Sequence, residues 1–254
     1  MTKKTMNENE IREILISFLS KKYSDEADVA FIKELFIEQF KQRADLVLAN
    51  GKLVTYEIKS ELDSLNRLPA QLESYTKHFE ETIVVCAEKH VEKVKEIIGL
   101  EVGLWAVNIK GEFKAIQKPK KIKITKLSWL SHLPVDELRV LLKQYSFTRS
   151  GNRDTLTQTI VQKLSCNQVR EYVLDYFKRR EQKISLLKTR RLETKSLNNE
   201  YKRLNIDNSK TISVHSMETN TGSYTVLPRK TSNNPNPVPL HIHLNQELDL
   251  ATVQ

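Results

Sequence analysis

RADLVLANGKLVTYEIKSELDSLNRLPAQLESY, residues 43–75, decides how the rest of the chain is read. Two alternating apolar runs, residues 43–49 and 53–59, flank Asn50-Gly51, a pair that favours a tight hairpin because both residues tolerate a left-handed backbone. In the first run Ala44, Leu46 and Leu48 face one way, and Asp45 and Val47 the other. In the second, Val54, Tyr56 and Ile58 share a face opposite to Thr55, Glu57 and Lys59. Loop length decides whether the acids meet. A two-residue Asn50-Gly51 loop sets Asp45 opposite Tyr56 and sends Asp45 and Glu57 to opposite faces. A three-residue loop, Ala49-Asn50-Gly51, sets Asp45 opposite Thr55, diagonal to Glu57 and on its face. An odd-numbered or bulged loop is therefore a condition for the two acids to act together.

Downstream of the hairpin the pattern becomes helical. Leu65, Leu68, Leu72, Tyr75 and Phe79 form an apolar stripe, and Pro69 suits a first helical turn. Gln71 and Tyr75, four residues apart, share a face that can look back at the sheet. Two carboxylates at neighbouring positions repel each other unless positive charge lies between them. A hard divalent cation with oxygen ligands meets that need, and Lys59 is placed to orient a water. The plainer reading of the same residues is a surface strand with scattered charges and an ordinary amphipathic helix.

The arrangement resembles the PD-(D/E)XK nuclease superfamily. Asp45 matches its first acid, Glu57-Ile58-Lys59 its (D/E)XK, and Gln71 and Tyr75 the Q-x-x-x-Y found in RecB-like branches. More narrowly, the stretch is similar to a bacterial group with the pattern R-A-D … E-I-K-S-x-x-D-x-x-x-R-L-x-x-Q-x-x-x-Y. Here that is Arg43-Ala44-Asp45, Glu57 to Ser60, Asp63, Arg67-Leu68, Gln71 and Tyr75, with Ala44 where the nominal Pro would stand. The resemblance covers roughly the first half of the chain. It implies a restriction-endonuclease-like αβββαβ core and Mg²⁺- or Mn²⁺-dependent hydrolysis of DNA. Asp45, Glu57 and the Ile58 backbone carbonyl would hold the metal, and Lys59 would position the water. Gln71 and Tyr75 would align Lys59, a water or the scissile phosphate. Related nucleases often carry another acid before the first Asp, so Glu34 is a further candidate ligand; its plain reading is a solvent-facing glutamate.

A chain of 254 residues makes one large domain or two small ones, and an apolar fraction of 39% is enough for a core. No stretch approaches membrane-spanning length, and the N-terminus MTKKTMNENE lacks the apolar segment of an export signal, so a cytoplasmic protein is expected. Cys86 and Cys166 make no disulfide framework. Charge is unevenly placed. Residues 1–110 hold 16 Lys/Arg against 19 Asp/Glu, whereas residues 111–254 hold 25 against 13. A basic half beside a near-neutral half points to a polyanionic partner, DNA above all, or else to a solubilising tail.

The remaining elements follow from periodicity. Residues 8–22 read as a helix through Ile11, Ile14, Leu15 and Phe18, and residues 30–40 as a strand or a passage from helix to strand. Residues 81–87 read as a buried strand, 89–98 as a helix, 102–107 as a strand and 112–116 as an edge strand. The expected fold is α/β with a mixed sheet, a small C-terminal all-α domain and a poorly ordered tail. Its divisions are residues 1–117 (nuclease-like), 118–126 (a basic linker), 127–180 (helical) and 181–254 (a charged helix, then the tail). The helical segment resembles a SAP-type helix–loop–helix, which implies backbone contacts with DNA from Arg149, Asn152 and Arg153, supported by Lys143. Arg67 is the corresponding candidate near the hairpin. A small bundle that packs on the first domain is the alternative. The pair His241 and His243 is weak grounds for a metal site.

Two functions are thus expected in order: a Mg²⁺-dependent deoxyribonuclease with helices gripping the DNA backbone, then a non-catalytic DNA-binding or protein-interaction module on the same fold. Whether the partner set also includes a second copy or another protein is open, as are the form of DNA and the choice between endo- and exonuclease.

Overall fold

The computed structural model describes residues 5–25, 29–37 and 41–206, with side chains as far as residue 199. Two compact units divide the chain, Met1–Tyr201 and Lys202–Gln254. The poorly ordered tail and the His241/His243 pair expected from the sequence lie outside the described residues.

The fold is mixed α/β. Helix α1 (Glu8–Lys22) leads into β1 (Ala30–Ile37), β2 (Gln42–Ala49) and β3 (Leu53–Lys59). Then come α2 (Leu68–His78), β4 (Glu81–Ala87), a 3-10 turn and α3 (Val91–Ile97), β5 (Gly103–Val107) and β6 (Phe113–Gln117). The six strands lie in chain order, β1 to β3 antiparallel, β3 to β5 parallel and β6 antiparallel to β5.

Helix α1 begins with a capping box: the Asn7 side chain accepts from the Glu10 N–H, and the Glu10 carboxylate accepts from the Asn7 N–H. Its buried Ile11, Leu15 and Leu19 cover one sheet face, against Leu46, Leu48, Val54, Tyr56 and Trp105. Helix α2 covers the other with Leu68, Leu72 and Tyr75, over Val47 and Val84. All seven residues of β3 are buried because both faces are covered, including Glu57 and Lys59.

The hairpin loop has the expected odd number of residues, in a different place. Ala49 pairs with Leu53, so the loop is Asn50-Gly51-Lys52, with Gly51 at φ +82° and Asn50 N–H donating to the Lys52 carbonyl at 3.1 Å. The register Leu46↔Tyr56, continued by one residue, sets Asp45 directly opposite Glu57 rather than opposite Thr55. Burial requires an odd-numbered loop, because only then do Leu46, Leu48, Val54 and Tyr56 lie together under α1; it does not by itself distinguish this register from one slipped by two residues.

The C-terminal part adds α4 (Lys126–Ser131), α5 (Val135–Gln144), α6 (Arg153–Lys163) and α7 (Cys166–Ile206). Helix α4 starts at the last residue of the basic stretch, ahead of the first helix the periodicity marks, and α7 continues unbroken where the periodicity fades at Glu181. Trp129, Leu138, Leu142, Ile160, Val173 and Phe177 join the α2 side of the sheet in one core. A polar knot fastens the same joint. The buried Glu80 carboxylate accepts from Leu53 N–H (3.0 Å) and from Arg170 Nε and Nη2 (2.9 and 3.0 Å), with Lys121 Nζ at 3.4 Å.

Candidate functional site

The hairpin and α2 bring Asp45, Glu57, Lys59 and Gln71 to one cleft of about 250 Å³, whose rim carries Glu8, Lys41, Arg43, Asp63 and Arg67, and Tyr75 lies buried against Glu57. Strand alternation places Glu57 and Lys59 on the α2 face, and a one-turn spacing brings Gln71 and Tyr75 down onto them. Lys59 Nζ lies 2.7 Å from Glu57 Oε1 and 3.0 Å from Gln71 Oε1. The Tyr75 hydroxyl stands 2.8 Å from Glu57 Oε2 and 2.9 Å from the Arg43 carbonyl, two acceptors for one proton. Asp45 Oδ2 accepts the Ile58 N–H at 2.8 Å.

Burial first, then the neighbouring Glu57 carboxylate, push the Asp45 carboxyl up to about 8; the Ile58 N–H only partly offsets them. The same two causes raise the Tyr75 phenol and keep it protonated. At neutral pH the cluster therefore holds one buried ion pair, Lys59–Glu57, beside a neutral Asp45. Both Glu57 oxygens are engaged by protein donors, and Lys59 supplies the positive charge between the acids. Among the described residues, no group of three or more His, Cys, Asp or Glu side chains is arranged to hold a metal ion. As arranged, both Glu57 oxygens accept from protein donors, and no step is routed through a metal.

Glu34 does not line this cleft. It sits in β1 at φ +55°, a left-handed backbone that side chains rarely adopt. Its carboxylate accepts from Arg12 Nη1 at 3.1 Å and Arg43 Nη1 at 3.5 Å. Arg12 is also paired with Glu8. Sequence reasoning missed Glu8, Arg12 and Lys41. The Glu8–Arg12 spacing of four residues in the first helix was the available signal, but nothing in it said that this turn overhangs β2.

The nucleic-acid candidates scatter. Arg67 is exposed at the cleft rim, at the N-cap position of α2. Lys143 and Arg149 are exposed on α5 and in the loop after it. Asn152 caps α6, its Oδ1 accepting the Thr155 N–H at 3.0 Å. Arg153 donates to the carbonyls of Leu133 and Leu130 at 2.9 and 3.1 Å, stapling α6 to α4.

A family model for the bacteriophage P4 protein cII matches residues 1–205. Protein cII of Enterobacteria phage P4 is 37% identical over 181 residues, which make up 69% of this chain and 68% of that protein. A protein of unknown function from Silicibacter pomeroyi aligns with 50% of this chain and 86% of its own at 14% identity and a TM-score of 0.33. The two cII matches overturn the resemblance to the PD-(D/E)XK superfamily, together with the SAP-type likeness. The expected deoxyribonuclease, with its endonuclease and hydrolase readings, goes with them. The D…E-x-K and Q-x-x-x-Y residues do converge, but a handful of positions is outweighed by similarity that runs through both the sheet and the helices.

Proposed function

We propose that this chain, which belongs to the bacteriophage P4 cII protein family, binds nucleic acid through the phosphate backbone and leaves it intact. The observation that carries this reading is the placement of positive charge. Residues 111–254 hold 25 Lys/Arg against 13 Asp/Glu, and much of the excess lies on the exposed part of α7. That helix has 41 residues, so it is about 60 Å long at 1.5 Å per residue. Beyond Phe177 its side chains leave the core, and Lys183, Lys188, Arg190, Arg191 and Lys195 stand in solvent. A long cationic helix matches a polyphosphate backbone, releasing counterions on contact without reading sequence. The same reading places the chain in the cytoplasm. It gives the Asp45–Glu57–Lys59 cluster a structural part, joining β2, β3 and α2.

No described helix is long and apolar enough to cross a membrane. Cys86 and Cys166 are both free thiols, as a reducing compartment allows.

The test is fluorescence anisotropy with labelled duplex DNA at 50 and 200 mM salt, followed by gel recovery of the DNA after incubation with Mg²⁺. About four phosphate contacts would weaken binding roughly 100-fold across that range. The triple variant Lys188→Glu/Arg190→Glu/Arg191→Glu should lose most of the affinity, and the DNA should be recovered at full length. Binding that ignores salt, or a triple variant that binds like wild type, would refute the reading.

A further inference from the structure

A second groove, of about 760 Å³, runs between the β1 edge of the sheet and the helices, against the turn from α4 to α5 and one face of α7. Strand β1 ends the sheet order, so it has a neighbour on one side only. The groove is lined by Phe36 and Lys41 on the sheet side, Leu133 and Pro134 at the turn, and Tyr176 and Arg180 on α7. Phe36 is 50% exposed, and Tyr176 and Arg180, one helical turn apart, form a combined aromatic and cationic surface. The lining acid, Glu34, is already paired with Arg12 and Arg43, while Lys41, Arg153 and Arg180 leave the groove cationic. The groove adjoins the polar cleft, with which it shares Phe36 and Lys41.

Apolar and aromatic faces alternating with cations along a groove suit an unpaired nucleic-acid strand, whose bases stack while its phosphates meet the charges. An added peptide strand fits less well, because the left-handed Glu34 interrupts the β1 edge it would pair with. The volume admits a few nucleotides and excludes a duplex, whose bases are already stacked on each other. We propose that this groove holds a single strand of nucleic acid, with bases against Phe36 and Tyr176 and phosphates toward Lys41 and Arg180. This rests on the nucleic-acid reading above and names the form of the partner, with the exposed part of α7 left to hold the flanking backbone.

The experiment compares a labelled oligo-dT with a labelled duplex on the full chain, wild type against Phe36→Ala and Arg180→Ala. Loss of one stacking partner should weaken oligo-dT binding roughly 5- to 150-fold. Duplex affinity, carried by α7, should stay within twofold for Phe36→Ala, which lies outside that helix. Phe36 is half exposed, so its truncation leaves the core in place, and an unchanged thermal melt confirms that. Equal loss for both probes, or oligo-dT binding untouched by Phe36→Ala, overturns the groove assignment while leaving backbone binding standing. Displacement of oligo-dT by a charge-matched Glu-rich peptide at equal concentration also overturns it, by naming an acidic peptide as occupant. Absence of binding to either nucleic acid defeats both readings at once.

Discussion

Asp45→Asn should make this protein more stable at neutral pH. Asp45 is 6% exposed, faces Glu57 and accepts one backbone N–H. Its carboxyl is raised from an ordinary 3.8 to about 8, chiefly by burial and then by Glu57. The folded state therefore keeps a proton that the unfolded state releases. The folded state binds more protons across this window, so its stability falls as pH rises from the unfolded value toward the folded one. Asparagine keeps the shape and the acceptor for Ile58 N–H but has no proton to lose. Each pH unit between 5 and 7 should cost the wild type about 1.4 kcal/mol relative to the variant, ~2.7 kcal/mol over the window. Urea unfolding of both proteins at pH 5, 6 and 7, with m-values checked for constancy, measures this difference. A difference that does not change with pH would mean that Asp45 is ionised in the folded protein and that a cation other than Lys59 stands beside it. A variant less stable than wild type at pH 7 would refute the reasoning outright.

Lys59→Met should be costly. It leaves Glu57, 1% exposed, with Tyr75 as its remaining donor, and an uncompensated buried charge costs ~3–5 kcal/mol. The double variant Lys59→Met/Glu57→Gln should recover much of that loss in the same urea titration, because the orphaned charge is gone. Asn152→Ala should lower stability by about 1 kcal/mol through loss of the α6 cap, and Asn152→Asp should restore most of it in thermal melts.

Much of the fold was legible in the chain. Period-two runs at residues 43–49 and 53–59 and the Asn50-Gly51 signal marked the hairpin, and the 3.6-residue stripes marked α1, α2, α5 and α6, because local spacing maps directly onto a buried face. The convergence of Gln71 and Tyr75 on Glu57 and Lys59 was also legible, since a helix that follows a strand must cover it. What those residues mean was not. The same five side chains serve a hydrolytic metal site or a self-neutralised cluster, and residue types and spacing alone do not separate the two; the nuclease reading fell to the family matches. Asn152 and Arg153 have the residue types of phosphate contacts, yet their atoms cap α6 and reach the carbonyls of α4 and its following turn.

By itself, then, the sequence determined the order of elements, the basic bias of the C-terminal half and the faces to be buried, because composition and periodicity are local properties. Tertiary structure decided the register that sets Asp45 opposite Glu57, the turn of Glu34 toward Arg12 and Arg43, and the groove between β1 and α7. Each of those depends on residues distant in the chain meeting across a shared core, and a distance between remote groups is set only when the whole chain packs.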